Sequence, residues 1–189
     1  MSSYIVAGNE IHPDLQQEWC LNILRDPAVT ILPQGSDGKT FANTMFEYTL
    51  YTERGIRAHL LLRRPCSEPD SILSTEYCTL LSIGDGLDGK AGRAHGGFNA
   101  LILDQVSGAV TRHARQVRVP PATATITVDY KAPIPTPSVI LCRAWACEMN
   151  GRKIWVKAAI EDEKGRLFAS SKSLFIYAKE TTLEAERKL

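Results

Sequence analysis

The chain has 189 residues, of which 44% are hydrophobic and 23% charged. That is long enough for one domain with a sizeable core, too short to expect two, and unlike disordered or collagen-like compositions. A formal net charge of +1 gives no electrostatic footprint for nucleic acid as a partner of the whole protein. No run reaches the ~18 apolar residues expected of a transmembrane helix. The opening Met1-Ser2-Ser3-Tyr4-Ile5 lacks the basic and apolar regions of a signal peptide, and Glu10 precedes the first arginine, Arg25. Five scattered cysteines without a CxxC pair suit reduced thiols and a cytoplasmic location better than disulfides or a metal site. No cofactor or metal is expected.

Taken in chain order, residues 1–40 read as an N-terminal extension outside the main sheet. Pro13-Asp14-Leu15 opens a helical stretch with an imperfect apolar face of Leu15, Trp19, Leu21, Ile23 and Leu24. Pro27 ends it, because proline disfavours helical geometry in the residue before it. Residues 41–179 carry the body of the fold. Thr44–Thr52 and Ile56–Arg63 alternate like two strands, with Glu53-Arg54-Gly55 as a hairpin turn. Ser74–Ile83 follows as a third strand, stopped by the glycine-rich Gly84-Asp85-Gly86-Leu87-Asp88-Gly89. Gly97 to about Arg115 is the long helix, apolar nearly all round and therefore expected to be buried. Four strands come next: Thr123–Ala132, Ser138–Met149, Lys153–Glu161 and Leu167–Tyr177, with Asn150-Gly151 and Glu163-Lys164-Gly165 at turns. Residues 180–189 form a charged tail, frayed or helical. One antiparallel sheet wrapped around one central helix satisfies this order with short connections, an α+β arrangement.

The chemistry concentrates in the run His95-Gly96-Gly97-Phe98-Asn99-Ala100-Leu101-Ile102-Leu103-Asp104. A glycine pair at a helix start lets unsatisfied N–H groups approach a ligand at the positive end of the helix dipole. Such groups suit a carbonyl and the oxyanion formed when it is attacked. Asp104 is the only formal charge between His95 and Arg112, and burying an unpaired carboxylate is costly. Asp104 therefore either makes a structural hydrogen bond or faces a cavity where it does chemistry. There is no GxSxG elbow for a serine hydrolase.

The stretch from His95 to Tyr177 resembles the hotdog-fold acyl-CoA thioesterases, in particular the animal thioesterase-superfamily-member group and its phenylacetate-pathway relatives. The matching residues are His95-Gly96-Gly97, Asp104, Val128-Asp129-Tyr130-Lys131-Ala132-Pro133-Ile134-Pro135, Asn150-Gly151-Arg152-Lys153 and Ser173-Leu174-Phe175-Ile176. The resemblance implies a hotdog fold and hydrolysis of an acyl thioester, carried by coenzyme A or a carrier protein. It implies Asp104 as general base or nucleophile, Gly96 as oxyanion donor, and His95 and Gly97 as parts of the turn. Seven residues before Tyr130, Thr123 matches the family's water-positioning Ser or Thr. The family's homodimer, or dimer of dimers, would join Asp104 and Thr123 of one subunit to His95 and Gly96 of the other. The sequence departs from several relatives at Gly89, where they carry a polar residue that contacts the thioester.

Arg93 ahead of the turn, and Arg112, Arg115 and Arg118 after the helix, could meet the phosphates of coenzyme A. Cations also favour helix C-termini without any ligand. Two other readings remain: a non-catalytic acyl-binding module, and a hydratase, for which the Asp88-to-His95 interval is too long.

Overall fold

The computed structural model describes residues 11–32, 43–115 and 119–179. Among them, seven strands form one antiparallel sheet: β1 (Thr30–Ile31), β2 (Ile56–Pro65), β3 (Thr75–Ile83), β6 (Ala122–Tyr130), β7 (Ser138–Asn150), β8 (Lys153–Glu161) and β9 (Leu167–Ile176). Their spatial order is β1-β2-β3-β7-β8-β9-β6. Two short strands, β4 (Asp88–Lys90) and β5 (Arg93–Ala94), pair separately ahead of the long helix α2 (Gly96–Ala114). Positive φ at Gly151 and Gly165 makes the β7–β8 and β8–β9 turns.

The sheet wraps α2 because each inner face alternates apolar residues toward it. Ile102, Leu103, Val106 and Val110 of the helix meet Ile140 and Ala144 of β7, Ile154, Val156 and Ile160 of β8, and Phe175 of β9. Each fully buried aliphatic side chain of this set contributes about 1.5–3 kcal/mol relative to exposure. The helix is nevertheless two-sided. Leu101, Asp104, Gln105 and Gly108 lie on a half-exposed stripe, so the expectation of burial all round holds for one face only.

The N-terminal stretch covers part of the sheet's other side. After a 3-10 turn at Pro13–Leu15, α1 (Glu18–Arg25) lays Trp19, Cys20, Ile23 and Leu24 against Ala58, Leu62, Cys78, Leu80 and Leu141. Asp14 anchors it by accepting from the Ser82 hydroxyl at 2.7 Å and pairing with Arg57 at 3.2 Å. Asp26, just before Pro27, leaves helical geometry with ψ 120°. The stretch does not stay wholly outside the sheet, since Thr30 and Ile31 pair with Arg63 and Leu62.

The strand expected over Thr44–Thr52 is instead a π-helical turn, Met45–Thr49, closed by the Leu50 N–H donating to the Met45 carbonyl at 2.8 Å. Phe46, Leu50 and Tyr51 pack on the core, which is helical spacing hidden in an alternating-looking sequence. The β2 edge that a hairpin partner would need is also occupied by β1. Gly55 serves close approach rather than a hairpin turn, because a Cβ there would stand 2.3 Å from the Leu50 carbonyl oxygen. The tail expected over 180–189 lies outside the described residues.

On the outer face, Glu76 is nearly fully buried between two arginines. It accepts from Arg64 at 2.6 Å and Arg143 at 3.1 Å, while Arg143 also reaches Glu68 at 2.6 Å and Glu161 at 2.9 Å. These carboxylates hold the Arg143 guanidinium well above its ordinary pKa despite its burial. Removing one partner of such a network strands the others in low dielectric. Arg143→Leu is therefore expected to lower unfolding stability by about 3 kcal/mol or more. Urea unfolding checks this, and a loss within experimental scatter would mean that the network contributes little.

Candidate active site

The start of α2 is built by His95. Its backbone is extended, φ −63° and ψ 137°, and its Nδ1 accepts the Gly97 N–H at 2.9 Å. The side chain thus caps the helix, which satisfies one of the first-turn donors and places any proton of the neutral ring on Nε2. Gly96 is the first helical residue, so its N–H has no partner within the helix and lies at the positive end of the dipole. The Tyr130 hydroxyl donates to the Gly96 carbonyl at 3.0 Å, and a Cβ at Gly96 would sit 3.4 Å from the Tyr130 ring. That contact is not visible in the sequence, where Tyr130 stands out only as part of the Asp129-Tyr130-Lys131-Ala132-Pro133 run.

Two turns further along, Asp104 is held by Thr123, whose hydroxyl donates to Oδ1 at 2.9 Å. Residues seven apart in a regular strand face opposite ways. A bulge between Thr123 and Thr125 shifts the register, so Thr123 opposes Phe175 and faces inward like Tyr130, which opposes Ala169. The bond orients the carboxylate and leaves Oδ2 available. Asp104 is therefore half-exposed and hydrogen-bonded rather than buried and alone.

Within one chain the two elements do not converge. Eight residues separate Gly96 from Asp104, a rise of about 12 Å along the helix. One carbonyl cannot meet both the Gly96 N–H and the Asp104 carboxylate of the same chain.

The arginines do not gather either. Arg93 is exposed on β5, while Arg112 and Arg115 lie at the far end of α2. Arg112 is exposed. Arg115 donates to the Gly151 carbonyl at 2.5 Å and sits 4.9 Å over the Tyr177 ring. Arg118 lies outside the described residues. Neighbouring His113 stacks on Tyr77 at 4.5 Å, and partial burial with Arg112 and Arg63 nearby lowers its pKa.

Gly89 has a steric reason to be glycine. A Cβ there would meet His95 Cδ2 at 2.9 Å and His95 Cα at 3.0 Å. Asp88 is engaged structurally, accepting from the Gly92 N–H at 2.8 Å and from the Thr136 hydroxyl. Burial pushes the Cys20 thiol up to about 12 and also raises Cys78 and Cys142, so these are not thiolate nucleophiles. Among the described residues no three His, Cys, Asp or Glu side chains gather as metal ligands, and no helix is long and apolar enough to cross a membrane.

Residues 91–169 match the family described as Thioesterase superfamily. The rat Acyl-coenzyme A thioesterase THEM4 is 36% identical over 92 residues, 48% of this chain and 38% of that protein. The Xenopus laevis protein of the same name is 28% identical over 132 residues, 69% of this chain and 50% of that protein. The chain thus spans half or less of the length of these relatives. Among solved structures, zebrafish thioesterase superfamily member 2 superposes with a TM-score of 0.51 at 14% identity, covering 61% of this chain and 81% of that one. The mouse member 2 gives 0.50 at 14%, covering 61% and 88%. At that identity the two structures speak for the fold, a hotdog.

The Gly89–His95 contact generates a test. Gly89→Asn should displace His95 and weaken its cap on Gly97. The expected loss is about 1–2 kcal/mol of unfolding stability. An unchanged melting curve would show that His95 yields without losing its cap.

Proposed function

We propose that this chain, a hotdog-fold member of the thioesterase superfamily, hydrolyses an acyl thioester at a site shared between two copies. The observation that carries the reading is the Thr123-held carboxylate of Asp104 on a half-exposed helix face, about 12 Å from an oxyanion donor on the same helix. A second copy related by a two-fold axis, its α2 antiparallel to the first, would bring the partner's Gly96 opposite Asp104. Edge strand β6 supports this. It is exposed over most of its length and ends the sheet, and an open edge of nine residues is a template for pairing. Either a dimer or a dimer of dimers contains this unit.

In the shared site the thioester carbonyl accepts from the partner's Gly96 N–H, which stabilises the oxyanion as attack proceeds. Asp104 Oδ2 either takes a proton from a water that adds to the carbonyl or attacks the carbonyl itself. In the first route the tetrahedral intermediate collapses with loss of thiolate. In the second, thiolate leaves first and water cleaves the anhydride. Both give acid and thiol. Thr123 fixes the carboxylate, and its oxygen can accept from the attacking water. Acyl-coenzyme A is the favoured substrate class, from the names of the relatives. Exposed Arg93 and Arg112 are available to its phosphates, whereas Arg115 is engaged elsewhere. The domain is taken to be 41–179, with 1–40 as its extension, and free thiols suit a reducing compartment such as the cytosol.

Glycine at position 89, where the resemblance implies a polar contact to the thioester, favours one rival, a module that binds acyl thioesters without cleaving them. Free-thiol release from acyl-CoAs separates the two. Asp104→Asn is expected to reduce turnover about 100-fold or more with oligomeric state retained. Melting shifts without turnover in the wild type would leave the binding module.

Sharing of the site has its own test. Gly96→Pro deletes the oxyanion N–H at a position where proline suits a helix start, and the extended ψ of His95 accommodates it. Each variant alone should be inactive. Co-expressed, Asp104→Asn and Gly96→Pro should recover about a quarter of wild-type activity, because half of randomly mixed dimers hold one intact site. No recovery in verified mixed dimers would place the site within one chain.

A further inference from the structure

The first turn of α2 opens on two glycines in succession, the residues that hold a backbone direction least well. Gly96 is the joint between two peptide groups, and the direction of its N–H is set once both are fixed. The group before it, which contains that N–H, is held at its carbonyl end by the Asn99 N–H, which donates to the His95 oxygen at 3.1 Å. The group after it is held at both ends by side chains. Its N–H donates to His95 Nδ1 at 2.9 Å, and its carbonyl accepts from the Tyr130 hydroxyl at 3.0 Å.

Tyr130 is a fixed post for that bond. It is the last residue of β6, and the next two N–H groups, of Lys131 and Ala132, both donate to the Phe168 carbonyl, at 2.8 and 3.0 Å. Tyr130 is 55% exposed, so burial does not force its hydroxyl onto the Gly96 carbonyl, as it would a hydroxyl cut off from water. Near the other end of the same strand, Thr123 orients Asp104.

We propose that Tyr130 is a positioning residue for the oxyanion donor, and that β6 thereby serves two sites at once. Through Thr123 it aims the base of one site, and through Tyr130 it aims the Gly96 N–H of the other. The inference rests on the shared-site hydrolase reading above. Tyr130 acts through the Gly96 peptide rather than on the substrate. An oxyanion donor works by being aimed before charge develops. Loss of the tyrosine hydroxyl therefore costs transition-state stabilisation rather than ground-state binding, a fall in kcat with KM retained.

The test places the same two substitutions, Asp104→Asn and Tyr130→Phe, in purified mixed dimers of two tagged copies, either on one chain or on opposite chains. Asp104→Asn leaves one live site, whose Gly96 belongs to the Asp104→Asn copy. Asp104→Asn paired with wild type gives the reference rate, read as free-thiol release from hexanoyl-CoA and lauroyl-CoA. With Tyr130→Phe on the opposite chain, the live site keeps its tyrosine and should run at the reference rate. With both substitutions on one chain, kcat should fall about 10-fold, the scale of one hydrogen bond, with KM within about twofold. Equal rates in the two arrangements, lowered or not, would overturn the proposal, because a merely structural tyrosine does not distinguish them. A rise in KM alone would make Tyr130 a substrate contact and also overturn it. The reverse pattern would give Tyr130 to the site of its own Asp104 and overturn it too. The Asp104→Asn and Gly96→Pro pairing then tells whether the shared-site reading falls with it. No thiol release from the wild type would sink the hydrolase reading and leave nitrogen-15 relaxation of the Gly96 N–H to decide. An order parameter falling from about 0.85 toward 0.6 in Tyr130→Phe would uphold the positioning, and an unchanged one would overturn it.

Discussion

A strand offers its side chains to two faces in strict alternation, and the candidate site needs that rule broken once. Thr123 and Tyr130 are an odd number of residues apart, yet both reach α2: one holds Asp104, the other the Gly96 carbonyl. The bulge between Thr123 and Thr125 supplies the extra residue. Without it, either the tyrosine anchoring the helix start or the threonine orienting the carboxylate would face the outer side. The position of the helix against the edge strand, and hence the orientation of Asp104, depends on that one irregularity.

Much of this was legible in the sequence because long periodic segments carry strong signals. All of the last four strands, the hairpin glycines and α2 itself fall within a few residues of where alternation and helical spacing put them. Residues 44–52 were misleading for a physical reason. Aromatic and β-branched residues favour strands locally, but Phe46 and Leu50 are spaced to reach the core from a helical turn, and tertiary packing overrode propensity. Residues Thr30–Ile31, too short to show any period, took the sheet edge instead.

At the site, the cap by His95 was legible, since a side-chain acceptor before two glycines at a helix start has little else to do. The exposure of Asp104 was not. An apolar run around a lone carboxylate reads as burial, and only the packed helix shows which face the sheet leaves open. The buried side-chain oxygens of Asn99, Ser171 and Ser173, without a hydrogen-bond partner among the described residues, were invisible for a related reason. Each is an ordinary polar residue until α2 is packed onto β9, and only then does the lack of a partner become a fact about the molecule.

The two ends of the sheet are treated differently, and the difference has consequences for the carboxylate. At one end, β1 is two residues long, and the outer face nearby is sealed by α1 and by the Arg64–Glu76–Arg143 network. At the other, nine-residue β6 and the Asp104 stripe of α2 lie open together. Under the proposed pairing through β6, the positive end of the partner's α2 would face the Asp104 carboxylate, a favourable charge–dipole contact. The same N-terminal N–H groups that would stabilise an oxyanion would thereby offset part of the cost of withdrawing that carboxylate from water.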